Sequence, residues 1–149
     1  MSKLIIYADG ACRGNQFNEN IGGWGVVYQY GNDTKEIKGS TRNTTNNIME
    51  LTAAIEALKG VKNKKITTEV IMDSQYVVSG INEWCENWIK NNWRNSKKKP
   101  VENKELWIQL RLLTYDFTDL TFVRVDGHSD NEGNNRADAL ANEAMDEIS

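Results

Sequence analysis

Leu4-Ile5-Ile6-Tyr7-Ala8 is an unbroken apolar run that leads into Asp9-Gly10. Apolar residues without polar alternation predict a strand covered on both faces, and therefore a central strand of a sheet. An aspartate at the end of such a strand lies near the core, where a carboxylate is costly unless a cation or several donors receive it. A metal ion is the usual recipient. What this chain can do therefore depends on whether other carboxylates converge on Asp9.

With 149 residues, the chain is expected to form one domain over 1–149, large enough to bury about two thirds of the surface its unfolded form would expose. No run of residues approaches the roughly 18 consecutive apolar positions that a membrane span needs, so no membrane partner is expected. Met1-Ser2-Lys3 leads into the first strand without a signal-peptide pattern, which makes the cytoplasm the expected location. Cys12 and Cys85 lack the spacing of a metal site and are expected to be reduced thiols.

The net charge of −3 argues against a protein that coats nucleic acid through bulk charge, but its distribution says more. Lys90, Arg94, Lys97, Lys98 and Lys99 lie between Trp88 and Pro100 with no acid among them, a local +5 that leaves −8 for the rest of the chain. One basic segment on an acidic body suits a localised docking surface for a polyanion; charge alone fits a solvated lysine loop equally well.

Beyond a Gly- and Asn-rich loop from Ala11 to Asn20, Gly22 to Tyr28 and Lys35 to Ser40 read as two strands joined by a turn at Gly31-Asn32-Asp33, an antiparallel hairpin beside the first strand. From Thr44 or Thr45 to Lys59 the period becomes helical, with Ile48, Leu51, Ile55 and Leu58 on one face and Gly60 as the stop. Thr52, Glu56 and Lys59 form a polar stripe within about 60° of each other at 100° per residue. Glu50 lies nearly opposite that stripe, which points it inward, an unusual direction for glutamate.

Ile66 to Met72 is the next strand and runs into Asp73-Ser74, after which a helix is expected from Ser74 towards Asn91. Two strands that each finish in Asp, separated by a helix, fit a right-handed βαβ unit with both carboxylates at one edge of the sheet. Asp73 can equally be the N-cap of the following helix. Trp84 and Trp88 form an i, i+4 pair for which packing is as good an explanation as nucleic-acid stacking. Val101 to Leu113 predicts another amphipathic helix, Leu120 to Val125 the last strand, and 126–133 a polar loop holding His128. In the final helix Ala137, Leu140, Ala141, Ala144, Met145 and Ile148 share a face, with Asp138 at its margin.

Asp9, Glu50, Asp73 and Asp138 thus stand out by position. Four converging carboxylates cannot all remain ionised without cations, and an all-oxygen set favours Mg²⁺ or Mn²⁺ over zinc.

Several stretches in order resemble ribonuclease H type 1 in its compact bacterial form: Tyr7 to Cys12 with Gly14-Asn15, Thr44 to Leu51, Asp73 to Val77, the Trp-rich basic stretch through Lys98-Lys99-Pro100-Val101, and Gly127-His128 followed by Asn135-Arg136-Ala137-Asp138. The resemblance implies an α/β ribonuclease H-like fold, a five-stranded mixed sheet with three antiparallel and two parallel strands flanked by helices. It implies a monomeric endonuclease that cuts the RNA strand of an RNA–DNA hybrid to leave 3′-hydroxyl and 5′-phosphate ends. Asp9 would bridge two Mg²⁺ ions about 4 Å apart, for which Mn²⁺ can substitute; Asp138 would join it on one ion, and Glu50 and Asp73 would hold the other. His128 resembles the family's loop histidine, which assists proton transfer or product departure; a surface histidine in a glycine-flanked turn is the competing reading.

By the same resemblance, Asn15, Asn46, Asn47 and Gln75 occupy positions around the minor groove. There their amides suit a 2′-hydroxyl, which both donates and accepts. Thr45 and Asn103 match residues that hold a DNA-strand phosphate, and Trp84 matches an aromatic of the DNA channel. The protrusion over about 84–100, with Lys97, Lys98 and Lys99, matches a substrate-docking element. Two departures stand out: the Asn15 to Asn20 loop is longer and lacks the usual Pro-Gly pattern, and Arg42 is displaced from the Thr-Thr pair. A non-catalytic hybrid-binding module and a DNA-processing nuclease on the same fold are the competing readings; neither is separated from the first by fold alone.

Overall fold

The computed structural model of the chain describes residues 2–14, 19–127 and 131–149. Its elements are β1 (Leu4–Arg13), β2 (Ile21–Tyr30), β3 (Asp33–Arg42), α1 (Asn46–Lys59), β4 (Thr68–Met72), α2 (Gln75–Ser79), a π-helical turn (Gly80–Trp84), α3 (Cys85–Lys90), α4 (Lys104–Thr114), β5 (Leu120–Arg124) and α5 (Glu132–Asp146). The five strands form one mixed sheet in the order β3-β2-β1-β4-β5. β1, β2 and β3 pair antiparallel, while β4 runs parallel to both β1 and β5. The apolar run that opens the chain is the middle strand, as its lack of alternation requires.

Each face of the sheet is closed by different helices. Ile6, Ala8, Val26, Tyr28, Val70 and Met72 pack with Leu51, Ala54, Ile55 and Leu58 of α1 and with Trp107 and Leu110 of α4. On the other face Tyr7 and Val27 meet Ala137 and Leu140 of α5. α5 lies close to β2 because Gly23 and Gly25 carry no side chain; a Cβ at either would collide with the carbonyl oxygens of Ala141 and Ala137. The hairpin β2–β3 closes through Gly31-Asn32, with Gly31 at φ 60, a conformation that favours glycine and matches the twist of the strands.

Several boundaries differ from the periodic reading. β1 does not end at Asp9 but continues to Arg13, because β2 pairs with it over its whole length, from Leu4↔Tyr30 to Arg13↔Ile21. Only the parallel pairing with β4 stops early, at Tyr7↔Ile71. The hairpin strands are longer than Gly22 to Tyr28 and Lys35 to Ser40 for the same reason: the ladder satisfies polar residues as well as apolar ones. β4 begins at Thr68 and β5 ends at Arg124. The helix expected from Ser74 to Asn91 is divided by the π-turn at Gly80–Trp84. α4 begins at Lys104 rather than Val101, after Asn103 at φ 59; Val101 is buried ahead of it and donates its N–H to the Trp93 carbonyl at 3.0 Å.

Beneath the π-turn lies an aromatic cluster. Trp107 is fully buried and lies 5.2 Å from both Tyr76 and Trp88, and Trp88 in turn meets Trp84 at 5.9 Å and Trp93 at 6.2 Å. Packing therefore accounts for Trp88 and Trp93, while Trp84 at the end of the row is 37% exposed. On the outer side of the sheet, Asn82 Nδ2 donates to the Phe122 carbonyl of edge strand β5 at 3.1 Å. Both cysteines are free thiols.

Gly80 is buried with the Trp107 ring directly over its Cα, so any Cβ there would overlap the indole. Gly80→Ala is expected to lower the unfolding free energy by about 1–3 kcal/mol, the usual cost of overpacking, despite alanine's better helix propensity. Urea denaturation of the variant against the parent measures this.

Candidate metal centre and nucleic-acid interface

Asp9 lies within β1 opposite Gly25, two residues beyond the last parallel pair with β4, and is only 4% exposed. Asp73 follows β4 directly. It does not cap the next helix; Ser74 does so, its Oγ accepting the Val77 N–H at 3.2 Å. The Asp73 carboxylate is thus left for another purpose. Glu50 comes from the first turns of α1, whose N-cap is Thr45 with Oγ1 accepting the Ile48 N–H at 3.1 Å.

Gly10 brings the third carboxylate in. A side chain there would run into the Met49 backbone, so only glycine lets α1 approach β1 this closely. At that distance the Gly10 N–H donates to Glu50 Oε1 at 2.7 Å. Asp9, Glu50 and Asp73 each place a carboxylate oxygen within 4.8 Å of the others. Asp138, on the exposed side of α5, stands outside this triad but close enough for its carboxylate to act on Asp9. Gly127 closes the other flank, where a Cβ would lie 2.7 Å from Asp73 Oδ2.

The electrostatics of the cluster are one-sided. Burial first, then the charges of Glu50 and Asp73 and the neighbouring Asp138, push Asp9 well above the ordinary carboxylate range. Glu50 is also raised, by burial first and then by Asp73, against the opposing pull of the Gly10 N–H. Among the described residues no Lys or Arg forms an ion pair with any of the four acids. Hard oxygen donors, held together at a cost and paired with no described Lys or Arg, fit a divalent metal ion.

The amide and hydroxyl positions lie at helix N-termini. Thr45, Asn46 and Asn47 are exposed at the start of α1, and Gln75 is exposed at the start of α2. Asn103 is half-buried ahead of α4, its Nδ2 donating to the Tyr76 hydroxyl at 3.2 Å. Trp84 stands edge-on to Tyr76 at 6.2 Å. Asn15 and His128 lie outside the described residues.

The basic segment is a built turn. Asn95 Oδ1 accepts the N–H groups of Lys97 at 2.9 Å and Lys99 at 3.1 Å, and the Asn95 N–H donates to the Lys99 carbonyl at 2.8 Å. Arg94 bridges to Pro100, and Lys98 takes a left-handed conformation at φ 62. The three lysines project from a fixed backbone and are exposed. Arg42, displaced from the family's pattern, donates to the Ile148 carbonyl at 2.6 Å.

Sequence reasoning assigned no role to Gly127, Tyr76 or the Gly10 N–H. Gly10 carried one signal, its place directly after the buried Asp9; the other two depend on contacts across 27 or more positions that no local pattern encodes.

The profile of the RNase H family matches residues 1–146. The ribonuclease H of Clostridium botulinum (strain Hall) is 54% identical over 149 residues, covering 99% of each chain. That of Ruthia magnifica is 49% identical, covering 100% of this chain and 99% of the relative. Among solved structures, LC11-RNase H1 in complex with RNA/DNA hybrid is 31% identical with a TM-score of 0.74, over 98% of this chain and 99% of that one. LC9-RNase H1, a type 1 RNase H with the type 2 active-site motif, is 28% identical with a TM-score of 0.86, over 99% of this chain and 74% of that one. With its sheet order, its carboxylate triad and full-length similarity in agreement, this chain belongs to the RNase H family.

Proposed function

We propose that this ribonuclease H is a single-domain endonuclease that hydrolyses the RNA strand of RNA–DNA hybrids, leaving 3′-hydroxyl and 5′-phosphate ends, with Mg²⁺ as the working metal and Mn²⁺ as its substitute. The observation that carries the reading is the buried Asp9, held against Glu50 and Asp73 with no ion pair to any Lys or Arg among the described residues. Asp9, Glu50, Asp73 and Asp138 would hold two such ions. When bound, a divalent pair supplies Lewis acidity and a water that ionises near neutral pH.

The residues of the chain itself bind, orient and protonate. The Gly10 N–H fixes the Glu50 carboxylate. The exposed amides of Asn46, Asn47 and Gln75, with Asn15, offer donors and acceptors to the 2′-hydroxyls that distinguish RNA from DNA. Thr45 and Asn103 would take a phosphate of the DNA strand, and Trp84 would offer its exposed face to that strand's sugars or bases. Lys97, Lys98 and Lys99 would dock the duplex through its phosphates. His128 would move a proton at the reacting phosphate or its leaving oxygen. We place the protein in the cytoplasm as a monomer; no described helix is long and apolar enough to cross a membrane.

One labelled series of RNA–DNA, RNA–RNA and DNA–DNA duplexes, incubated with Mg²⁺, tests the activity. Cleavage confined to the RNA of the hybrid is expected. Cutting of the DNA duplex would place the chain among DNA-processing nucleases, and binding without cutting would make it a hybrid-binding module.

Asp9→Asn and Asp73→Asn each remove a ligand. Outer-shell changes around a metal already cost about 10- to 100-fold, so cleavage should fall by more than about 100-fold. The sign of the stability effect is opposite. Asp9 and Glu50 keep protons in the metal-free fold that the unfolded chain loses near the ordinary values of 3.8 and 4.5. Their contribution to stability is complete below those values and is lost as pH rises towards the raised folded ones. In a chelator, the melting temperature of the parent should therefore fall from pH 5 to pH 8, and Asp9→Asn should hold or raise it and flatten the slope. Scanning calorimetry of both across that range gives the answer; a parent without the slope would contradict the strained carboxylate cluster.

Replacing Lys97, Lys98 and Lys99 together by Ala should weaken hybrid binding and reduce its log–log salt slope by about 0.9 for each phosphate that the lysines no longer neutralise. Titrations at several salt concentrations measure it. A slope equal to the parent's would make the turn a solvated loop.

A further inference from the structure

Asn103 departs from the local rules of its position. It is the residue before α4, where an asparagine ordinarily turns its side chain back to accept a helix N–H; here it makes no such bond and adopts φ 59. Its amide instead points to Tyr76, Nδ2 donating to the phenol oxygen at 3.2 Å. The same oxygen accepts the Nε1–H of the buried Trp107 at 3.0 Å. An indole N–H is a donor only, and with the Asn103 bond the phenol oxygen accepts twice, its own hydrogen taking part in neither contact. The ring of Tyr76 is fixed as well, 5.2 Å from Trp107 and 6.2 Å from Trp84.

From these contacts we infer that the Tyr76 hydroxyl is a positioning group for hybrid binding, fixing the Asn103 amide so that its nitrogen edge serves a DNA-strand phosphate. The inference rests on the proposed hydrolysis of hybrids with Asn103 at such a phosphate. A phosphate only accepts hydrogen bonds, and an untethered amide presents its Oδ1 as readily as its Nδ2. Anchoring one Nδ2 hydrogen on Tyr76 sets the amide's orientation and leaves the second hydrogen to the ligand. Tyr76 also follows Gln75 in α2, the helix that Asp73 and Ser74 introduce, so the anchor ties the start of α4 to the helix beside the carboxylates. Tyr76 touches no substrate in this scheme; it acts through Asn103.

The test is a double-mutant cycle. KM and kcat for an RNA–DNA hybrid with Mg²⁺ are measured for the parent, Tyr76→Phe, Asn103→Ala and the double variant, with melting temperatures alongside. Each single change should raise KM by about two- to tenfold, the range of one hydrogen bond, with the loss on KM rather than kcat. Tyr76→Phe should add nothing once Asn103 is alanine. Tyr76→Phe also strands the Trp107 donor, so it should lower the melting temperature in both backgrounds; that structural effect is not expected to track KM. If its fold is too weak to assay, hybrid-binding titration of the four proteins in the cold, below the melting temperature of the weakest, carries the same comparison. An equal rise in KM from Tyr76→Phe in both backgrounds would overturn the inference and leave the role of Asn103 standing. An unchanged KM for Asn103→Ala would overturn it at the phosphate contact, while hybrid cleavage by the parent reports separately on the proposed activity.

Discussion

The repulsion among Asp9, Glu50 and Asp73 is the constraint to which the rest of this structure answers. Carboxylates so close, one of them almost fully buried, would separate if their backbones were free to move. They are held by pieces of regular structure that cannot yield. Asp9 sits in a ten-residue antiparallel ladder, Glu50 on a helix pressed against Gly10, and Asp73 between a parallel strand and a Ser74-capped helix. The energy that keeps the charges together comes from the apolar layers on both sides of the sheet, far larger than any single contact in the cluster. The site stores strain which the fold around it over-determines.

Stability and recognition meet again in the aromatic cluster. Trp88, Trp93 and Trp107 bury large apolar surfaces and hold the base of the basic turn, while Tyr76 and Trp84 lie at the margin where the cluster reaches the surface. A π-turn at such a place lets one extra residue enter the helix without ending it, and it leaves Trp84 part exposed while Gly80 and Ile81 stay buried. Rigid rings on a packed base lose little conformational freedom when a ligand arrives, which favours a surface built this way over one of loose side chains.

Much of this was legible before the structure. The unalternating run Leu4 to Ala8 identified the central strand, the helical phase of Glu50 turned it inward, and the acids after two apolar strands pointed to one edge. Legibility failed where tertiary pairing decides. The polar residues beyond Asp9 remain in β1 because β2 satisfies their backbone, and nothing in their own pattern asks for a strand. The need for glycine at position 80 is set by the indole of Trp107, 27 residues on, and the late start of α4 by the left-handed Asn103. Ser74 and Asp73 are both good caps, and only the geometry shows that the serine takes the role.

One contact on the far side of the sheet bears on how copies of this chain meet each other. β5 is an edge strand whose odd-numbered residues address β4, since the Asp119 carbonyl accepts from Thr68 and the Val125 N–H donates to Met72. The Phe122 carbonyl therefore faces the open side, and the Asn82 amide occupies it. An incoming strand would find the central acceptor of that edge already taken, and the helical segment that carries Asn82 in its way. Edge-to-edge aggregation, the hazard of any open sheet, is thus opposed on this flank by a single side-chain hydrogen bond.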